Sequence, residues 1–151
     1  MFSRQIENVY CDDIRQEIGG KYSLMGVYRG DLFVPEFPFK LEKLCFSIRV
    51  FTDVSEPFEF LNIAVLKDDD VMAELTAPED VLSNMRATSQ QQASLLLEHG
   101  MERMFTLHFE TTVSPLPLDG PCVIRVKAES EAGRLKGAAL RVAELPQPEA
   151  E

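Results

Sequence analysis

Apolar residues recur at every second position along several short segments of this chain. In residues 44–51, with the sequence LCFSIRVF, the apolar residues of one face are Leu44, Phe46, Ile48 and Val50. The same period recurs in residues 60–66, 104–113 and 122–129, and a final strand is expected within residues 138–145. Successive side chains of a β-strand point to opposite faces, so this pattern predicts strands that bury one face. Residues 60–66 are apolar on both faces, which predicts a strand inside a sheet.

Residues that favour turns separate these segments at short intervals. They are Gly19-Gly20, Pro35, Pro38, Pro57, Asp68 to Asp70, Gly120-Pro121 and Gly133. Short strands joined by turns favour antiparallel pairing over βαβ units, because a parallel crossover needs about a dozen residues or more. We therefore predict a mainly β fold, an antiparallel β-sandwich that is Ig-like in broad architecture, with about eight strands. One domain is expected over residues 1–145, followed by a disordered acidic tail over residues 146–151.

Residues 77–98 break the alternating pattern and predict a helical insertion. Thr76 and Glu79 have the spacing of a capping box, and Pro78 falls in the first turn, where its missing N–H costs nothing. Gly100 is placed to end the helix in the left-handed conformation. Apolar residues recur near helical spacing at Val81, Leu82, Met85, Ala93, Leu96 and Leu97. The polar residues 87–92 form a weak helix, so a short helix followed by a loop and a strand is the alternative.

The composition argues against several classes of partner. The chain has 15 Lys and Arg residues against 25 Asp and Glu residues, which gives a net charge of −10. Nucleic acids and anionic membranes are bound largely through Lys and Arg, so neither is expected as a partner. No segment approaches the roughly 20 apolar residues of a membrane-spanning helix. Cys11, Cys45 and Cys122 are isolated in the sequence. We therefore expect a cytoplasmic protein with reduced thiols and no cofactor.

The segment VYCDDIRQEIGGKYSLMGVYRG, residues 9–30, carries the densest group of reactive side chains. Gly19-Gly20 is typical of a two-residue hairpin turn, which would pair Cys11 with Tyr28 and Asp13 with Gly26. Alternation then places Asp12 on the apolar face and sends Asp13 to the opposite one. The candidate interaction or structural residues are Asp12, Asp13, Arg15, Glu17 and Lys21.

Asp12 allows two interpretations. A carboxylate on an apolar face is costly unless it is hydrogen-bonded, so the structural interpretation is that nearby backbone N–H groups satisfy it. The functional interpretation is a metal-dependent hydrolase that uses Asp12 or Asp13, although the hairpin separates the two. The GGK sequence lacks the frame of a phosphate-binding loop, and Asp68 to Asp70 lack that of a calcium loop. His99 and His108 carry no recognisable catalytic pattern.

The opening residues also resemble a known family. An apolar residue, then CDDIR, an acidic residue, GGK, SL and GVY occupy Cys11 to Arg15, Glu17, Gly19 to Lys21, Ser23-Leu24 and Gly26 to Tyr28. A proline-bearing loop follows at Pro35 and Pro38. This pattern resembles the start of an uncharacterised bacterial and bacteriophage family that is described only as a domain of unknown function. Residues 114–142 are similar, more loosely, to the closing hairpin of Ig-like sandwiches. The resemblance implies a fold and a bacterial or phage source, and it implies no chemistry.

These observations favour a non-enzymatic protein-interaction module, cytosolic in a bacterium or its phage. Exposed strand edges or the helical insertion would form the interface, and a homodimer is one arrangement that exposed edges allow. The alternatives are the metal-dependent hydrolase that uses Asp12 or Asp13 and a phage-encoded inhibitor of a host enzyme. The partner in each case is a protein or a substrate that the residues do not identify.

Overall fold

A computed structural model describes residues 3–148, in which the chain forms twelve strands and one helix. The elements are β1 Gln5–Gln16, β2 Tyr22–Val27, β3 Asp31–Val34, β4 Phe39–Leu41, β5 Leu44–Asp53, β6 Leu61–Lys67, β7 Asp70–Thr76, α1 Glu79–Glu98, β8 Met104–Val113, β9 Leu116–Leu118, β10 Cys122–Ser130, β11 Gly133–Lys136 and β12 Leu140–Glu144. The prediction of a mainly β fold with one helix is confirmed. The expected eight strands were too few, because β3, β4, β9 and β11 have only three or four residues and show no period.

Two larger sheets contain most of the strands. Sheet A has the order β2-β1-β5-β8, and sheet B has the order β3-β12-β10-β6-β7, with β11 also paired to β10. A third, two-stranded sheet joins β4 to β9. Every pairing is antiparallel except that of β3 with β12. Neither large sheet closes into a barrel, because β2 and β8 end one sheet and β3 and β7 end the other.

The core lies between sheets A and B and follows the predicted alternation. Leu44, Phe46, Ile48 and Val50 of β5 are each 0% exposed. From sheet B they meet the inward residues of β6 and β10, which are Leu61, Ile63, Val65, Ile124, Val126 and Ala128. The prediction that residues 60–66 form an interior strand is confirmed, since β6 lies between β10 and β7. Burial of these side chains is the main stabilising contribution, at about 1.5–3 kcal/mol for each large one.

Tyr10 links the two sheets across this core. Its ring meets Phe46 edge to face at 5.5 Å between ring centroids. Its hydroxyl lies 2.5 Å from the carbonyl oxygen of Ala138 and 3.2 Å from that of Ile124. Burial raises the pKa of Tyr10 to about 12, so this hydroxyl remains a hydrogen-bond donor at neutral pH.

The β1–β2 hairpin differs from its predicted register by one residue. Gln16 pairs with Tyr22 and Asp13 with Met25, so Asp12, and not Asp13, lies opposite Gly26. The loop has five residues instead of two, and it is closed by a hydrogen bond from Glu17 N–H to the Lys21 carbonyl at 2.8 Å. Gly19 and Gly20 both have positive φ, as a glycine pair in a turn allows. The glycine pair identified the turn, but the pairing around it was wrong.

The far end of this hairpin folds over the outer face of sheet A. The β1–β5 ladder stops at the pair Cys11–Cys45, whereas the β1–β2 ladder continues to Gln16. The Tyr22 ring then stacks on the His108 ring of β8, 4.7 Å between centroids and 18° between planes. Gln16 Nε2 donates to Glu110 Oε2 at 2.9 Å. The end of the hairpin therefore covers part of the outer face of sheet A, and residues there are buried although they point away from the core.

Helix α1 follows β7 and precedes β8 as one continuous helix, so the alternative of a helix, a loop and a strand is wrong. The predicted capping box does not form, because Thr76 still belongs to β7 and the helix is capped at Pro78 without a side-chain hydrogen bond. At the other end Gly100 has φ 66° and ends the helix as predicted.

Residues 146–148 of the predicted tail have no regular structure, and residues 149–151 lie outside the described residues. Within residues 3–148 no helix is long and apolar enough to cross a membrane.

Candidate functional site

The hydroxyl of Tyr28 satisfies Asp12. Tyr28 Oη donates to Asp12 Oδ1 at 2.7 Å, so a side chain takes the role expected of backbone N–H groups. Asp12 is exposed to solvent, so the prediction that it lies on an apolar face was wrong. Gly26, opposite Asp12, has φ 67°, and a Cβ built there would lie 2.1 Å from Asp12 Oδ2. Glycine is therefore required at this position both by the backbone conformation and by the Asp12 side chain. Burial and the bond to Asp12 raise the pKa of Tyr28.

The other predicted site residues have separate local partners. Asp13 Oδ1 accepts from Lys43 Nζ at 2.8 Å and Asp13 Oδ2 from Arg15 Nε at 3.3 Å, and these bonds lower the pKa of Asp13. Glu17 Oε1 accepts from the Ser23 hydroxyl at 3.1 Å. Lys21 contributes its carbonyl oxygen to the loop. These groups stabilise a hairpin and do not converge on a common point.

The hydrolase hypothesis requires a set of metal ligands that includes Asp12 or Asp13, and the described residues do not provide one. Over residues 3–148 no three His, Cys, Asp or Glu side chains are grouped so that they could hold a metal ion. Asp68, in the turn between β6 and β7, has φ 51° and accepts from the Val123 N–H at 3.0 Å through Oδ1. This acidic turn is a structural connection between two strands, as predicted.

A polar layer beneath the β1–β2 hairpin was not predicted. Ser47 Oγ lies 3.0 Å from His108 Nε2, and His108 Nδ1 lies 3.8 Å from Glu110 Oε1. Ser47 is on β5 and pairs directly with Glu110 of β8. The two strands are 61 residues apart in sequence at the Ser47–His108 contact, so only the strand register brings these residues together. His108 and Glu110 occupy ordinary polar positions in the alternation of residues 104–113, so the sequence carries no signal for this contact.

Ser47, His108 and Glu110 follow one another in the polar layer as a nucleophile, a base and a carboxylate do in a catalytic triad. The surroundings of the three side chains nevertheless indicate a structural role. Ser47 is 4% exposed, and Tyr22 covers the imidazole of His108. The 3.8 Å from His108 to Glu110 exceeds hydrogen-bond length. Glu110 instead accepts from Gln16 of the hairpin. The layer therefore fixes the hairpin on sheet A.

Two cysteines face each other at the point where the hairpin leaves the sheet. Cys11 and Cys45 are paired across β1 and β5, and both are buried as free thiols. Cys11 Sγ lies 3.5 Å from the Asp13 carbonyl, and Cys45 Sγ lies 3.5 Å from the Asp12 carbonyl. Burial, followed by the neighbouring Cys45, raises the pKa of Cys11 to about 11. Cys11 and Cys45 are 0% and 2% exposed, so both side chains pack inside the sheet, out of reach of a substrate.

Helix α1 carries apolar side chains that the core does not use. Its buried residues, Leu82 and Met85, both lie in its first half. Leu95, Leu97 and Met101 near its end are 44%, 70% and 60% exposed. We call these three residues the α1 apolar end.

Three comparisons with known proteins gave no match: no family model, no curated protein and no solved structure is similar to this chain.

Proposed function

We propose that this chain is a non-enzymatic protein-interaction module with an Ig-like architecture, and that it binds its partner through the α1 apolar end. The strand order supports the architecture. Strands β1-β5-β8 correspond to strands A, B and E of an Ig-like sandwich, and β6-β10-β12 correspond to strands C, F and G. Helix α1 then occupies the connection before strand E, where Ig-like folds tolerate variation. Loops and insertions on a rigid scaffold commonly carry function.

The observation that carries the proposal is the contrast between the two halves of α1. The first half is attached to the sheets through Leu82, Met85 and hydrogen bonds from Arg86 to the Phe58 carbonyl and from Ser89 to the Val54 carbonyl. Beyond Ser89, no side chain of α1 forms a hydrogen bond to the rest of the described chain. The second half leaves Leu95 and Leu97 exposed, whereas Leu96 between them is half-buried. Large apolar side chains that are exposed and that the core does not need are candidate contacts for a partner.

The charge around the α1 apolar end indicates the chemistry of the partner. Glu98 and Glu102 flank it and Arg103 follows, which leaves one net negative charge, and the last turn of the helix contains no basic residue. The negative end of the helix dipole adds to these charges. Two copies of a chain with net charge −10 repel one another, which disfavours the homodimer. The proposed partner is a different protein with an apolar groove rimmed by Lys and Arg.

The proposal is tested by comparing two apolar-to-polar variants as bait. Leu97→Ser changes the α1 apolar end, and Ile18→Ser changes a side chain that is 95% exposed at the hairpin tip. In a lysate of the organism that encodes the chain, wild type and Ile18→Ser should retain one protein at fixed stoichiometry, and Leu97→Ser should lose it. Added salt should weaken the capture, because the rim is charged. Equal capture by both variants would contradict the proposal.

A further inference from the structure

The outer face of sheet B contains a shallow groove that runs across four strands. Two neighbouring rows of paired residues form it. One row is Glu74, Ala64, Lys127 and Lys136, and the other is Thr76, Asn62, Glu129 and Arg134. The cavity over these rows has a volume of about 290 Å³. Ala64, which has a small side chain, lines the cavity together with the longer side chains of Glu74, Lys127, Glu129 and Arg134.

Four cations gather at one side of this groove. Arg125 and Lys127 of β10 share the outward face, as do Arg134 and Lys136 of β11, and Lys127 pairs directly with Lys136. We call these four residues the β10–β11 basic cluster. A second depression of about 230 Å³ adjoins the first, and its charged lining residues are Arg125, Lys127 and Lys136. Lys127 lines both depressions.

The side chains of the basic cluster have no hydrogen-bonded counter-charge. None of the four forms a side-chain hydrogen bond or an ion pair with another residue between positions 3 and 148, although their backbones take part in the strand pairing. Six of the 15 basic residues form ion pairs with carboxylates, at Arg4, Arg15, Lys43, Arg49, Arg86 and Arg141. The four cations of the cluster are distinguished from the other unpaired ones because they are neighbours on one face of the sheet. Like charges directly opposite in a sheet are destabilising, so the Lys127–Lys136 pair opposes folding.

The two nearest acidic residues do not neutralise the cluster. Glu129 pairs with Arg134 in the ladder, and Glu74 lies at the far wall of the groove on β7. Neither carboxylate comes within ion-pair distance of a Lys or Arg in the described chain. The charged residues that line this groove are Glu74, Glu129, Lys127 and Arg134, and Glu129 lies directly opposite Arg134, so its charge offsets that of Arg134. The excess of positive charge therefore lies where the groove meets the second depression, at Arg125, Lys127 and Lys136.

We propose that this groove is a binding site for a small organic anion that carries carboxylate or phosphate groups. The anion would lie over Lys127, with Lys136 and Arg125 on one side and Arg134 on the other. Its charge relieves the repulsion between the two lysines. The cavity volume is at the lower end of the range for small-molecule sites, which excludes a large ligand. The site is separate from the α1 apolar end, and neither proposal depends on the other.

Thermal unfolding of the full chain tests this site with two probes, citrate and inorganic phosphate, each against sodium chloride at equal ionic strength. Lys136→Gln removes one cation of the cluster, and Lys21→Gln removes an exposed lysine of the hairpin loop as the matched control. Without a probe, Lys136→Gln should melt at a higher temperature than wild type, because it removes the like-charge pair. With a probe, wild type and Lys21→Gln should gain stability, and Lys136→Gln should bind about tenfold more weakly.

The two probes distinguish the chemical groups that the site recognises. A response to citrate alone assigns carboxylates, and a response to phosphate alone or to both assigns a phosphate group or a general anion site. Each of these results supports the proposal. An equal gain in Lys136→Gln and wild type would overturn it, because multivalent anions stabilise many proteins by exclusion from their surfaces. The lack of a gain in wild type with either probe would overturn it too.

Discussion

Asp12 lies on β1, just beyond the last residue of β1 that pairs with β5, and it accepts a hydrogen bond from the hydroxyl of Tyr28 at 2.7 Å. We predict that Tyr28→Phe lowers the free energy of unfolding by about 1 kcal/mol, the usual contribution of a partly exposed hydrogen bond. Asp12→Ala should have a similar effect, and the double variant should lose little more, because both changes remove the same bond. Urea unfolding of the four proteins measures this coupling. Additive losses would show that the bond contributes nothing.

Ionisation of the Tyr10 hydroxyl should lower the free energy of unfolding at alkaline pH. Its pKa is raised from 10.0 to about 12 in the folded chain, so its contribution is complete below pH 10 and is lost as the pH rises towards 12. The shift corresponds to roughly 2–3 kcal/mol. Urea unfolding between about pH 8 and pH 11 should show this loss in wild type and a shallower loss in Tyr10→Phe. Parallel pH profiles would contradict the assignment.

The surroundings of Asp12 were predictable from the sequence only in part. The separation of Asp12 and Asp13 onto opposite faces followed from alternation alone, which holds in any register. The partner of Asp12 did not follow, because a hairpin register shifted by one residue changes which residue lies opposite Gly26. Tyr28 was identified only as part of the strand and not as a hydrogen-bond donor.

Helix α1 is an element whose two halves should respond differently to substitution. Leu82 is 1% exposed, and Leu82→Ala should cost about 2–4 kcal/mol through the lost contacts and the cavity left behind. Leu97→Ser should change the free energy of unfolding by less than about 0.5 kcal/mol, because that side chain is mostly in solvent. Thermal or urea unfolding separates the two outcomes. A large loss in Leu97→Ser would mean that the helix end serves the fold and not a partner.

The long elements were predictable because each carries its own period. Strands β5, β6, β8 and β10 alternate over seven to ten residues. The short strands β4 and β9 are too brief for such a pattern and pair with each other across a long stretch of sequence. The polar layer of Ser47, His108 and Glu110 was not predictable for a related reason. It depends on how β5 and β8 align and on the hairpin that covers them, and both are tertiary features.

Arg4 stabilises the molecule as a whole by joining parts of both sheets. Its guanidinium donates to the Thr52 hydroxyl, the Ser130 hydroxyl, the Glu56 carbonyl and the Glu131 carboxylate, and it lies 4.4 Å from the Phe58 ring centroid. We predict that Arg4→Gln lowers the free energy of unfolding by about 2–3 kcal/mol, because several partly buried acceptors lose a charged donor. Arg15→Gln, at an exposed ion pair, is the control and should cost less than about 1 kcal/mol.

The Arg4–Glu131 ion pair should also make the free energy of unfolding depend on pH in the acid range. Burial acts to raise the pKa of Glu131, but the hydrogen bonds from Arg4 and from backbone N–H groups outweigh it and hold that pKa below its usual value of 4.5. The contribution of Glu131 is therefore present above pH 4.5 and is lost as the pH falls through the lowered pKa. Acid unfolding should be shallower in Arg4→Gln than in wild type, and equal slopes would show that Arg4 does not set this pKa.

At the scale of the molecule, the sequence predicted two sheets around one core but not the surfaces that carry the proposals. Alternation placed Arg125 and Lys127 on the outward face of β10. Their neighbours Arg134 and Lys136 lie on β11, which is too short to be recognised, so the basic cluster appears only once β10 and β11 pair. The exposure of Leu97 likewise follows from where α1 leaves the sheets, because its sequence alone resembles a helix with a buried apolar face.

The most direct test of the account is crosslinking from position 97. A photo-crosslinking amino acid replaces Leu97 in one protein and Ile18 in another, and each protein is irradiated in a lysate of the organism that encodes the chain. We expect position 97 to crosslink to one protein whose contact surface is apolar and rimmed by Lys and Arg, and position 18 to give only background. Background from both positions, or a crosslink between two copies of this chain, would contradict the proposed partner.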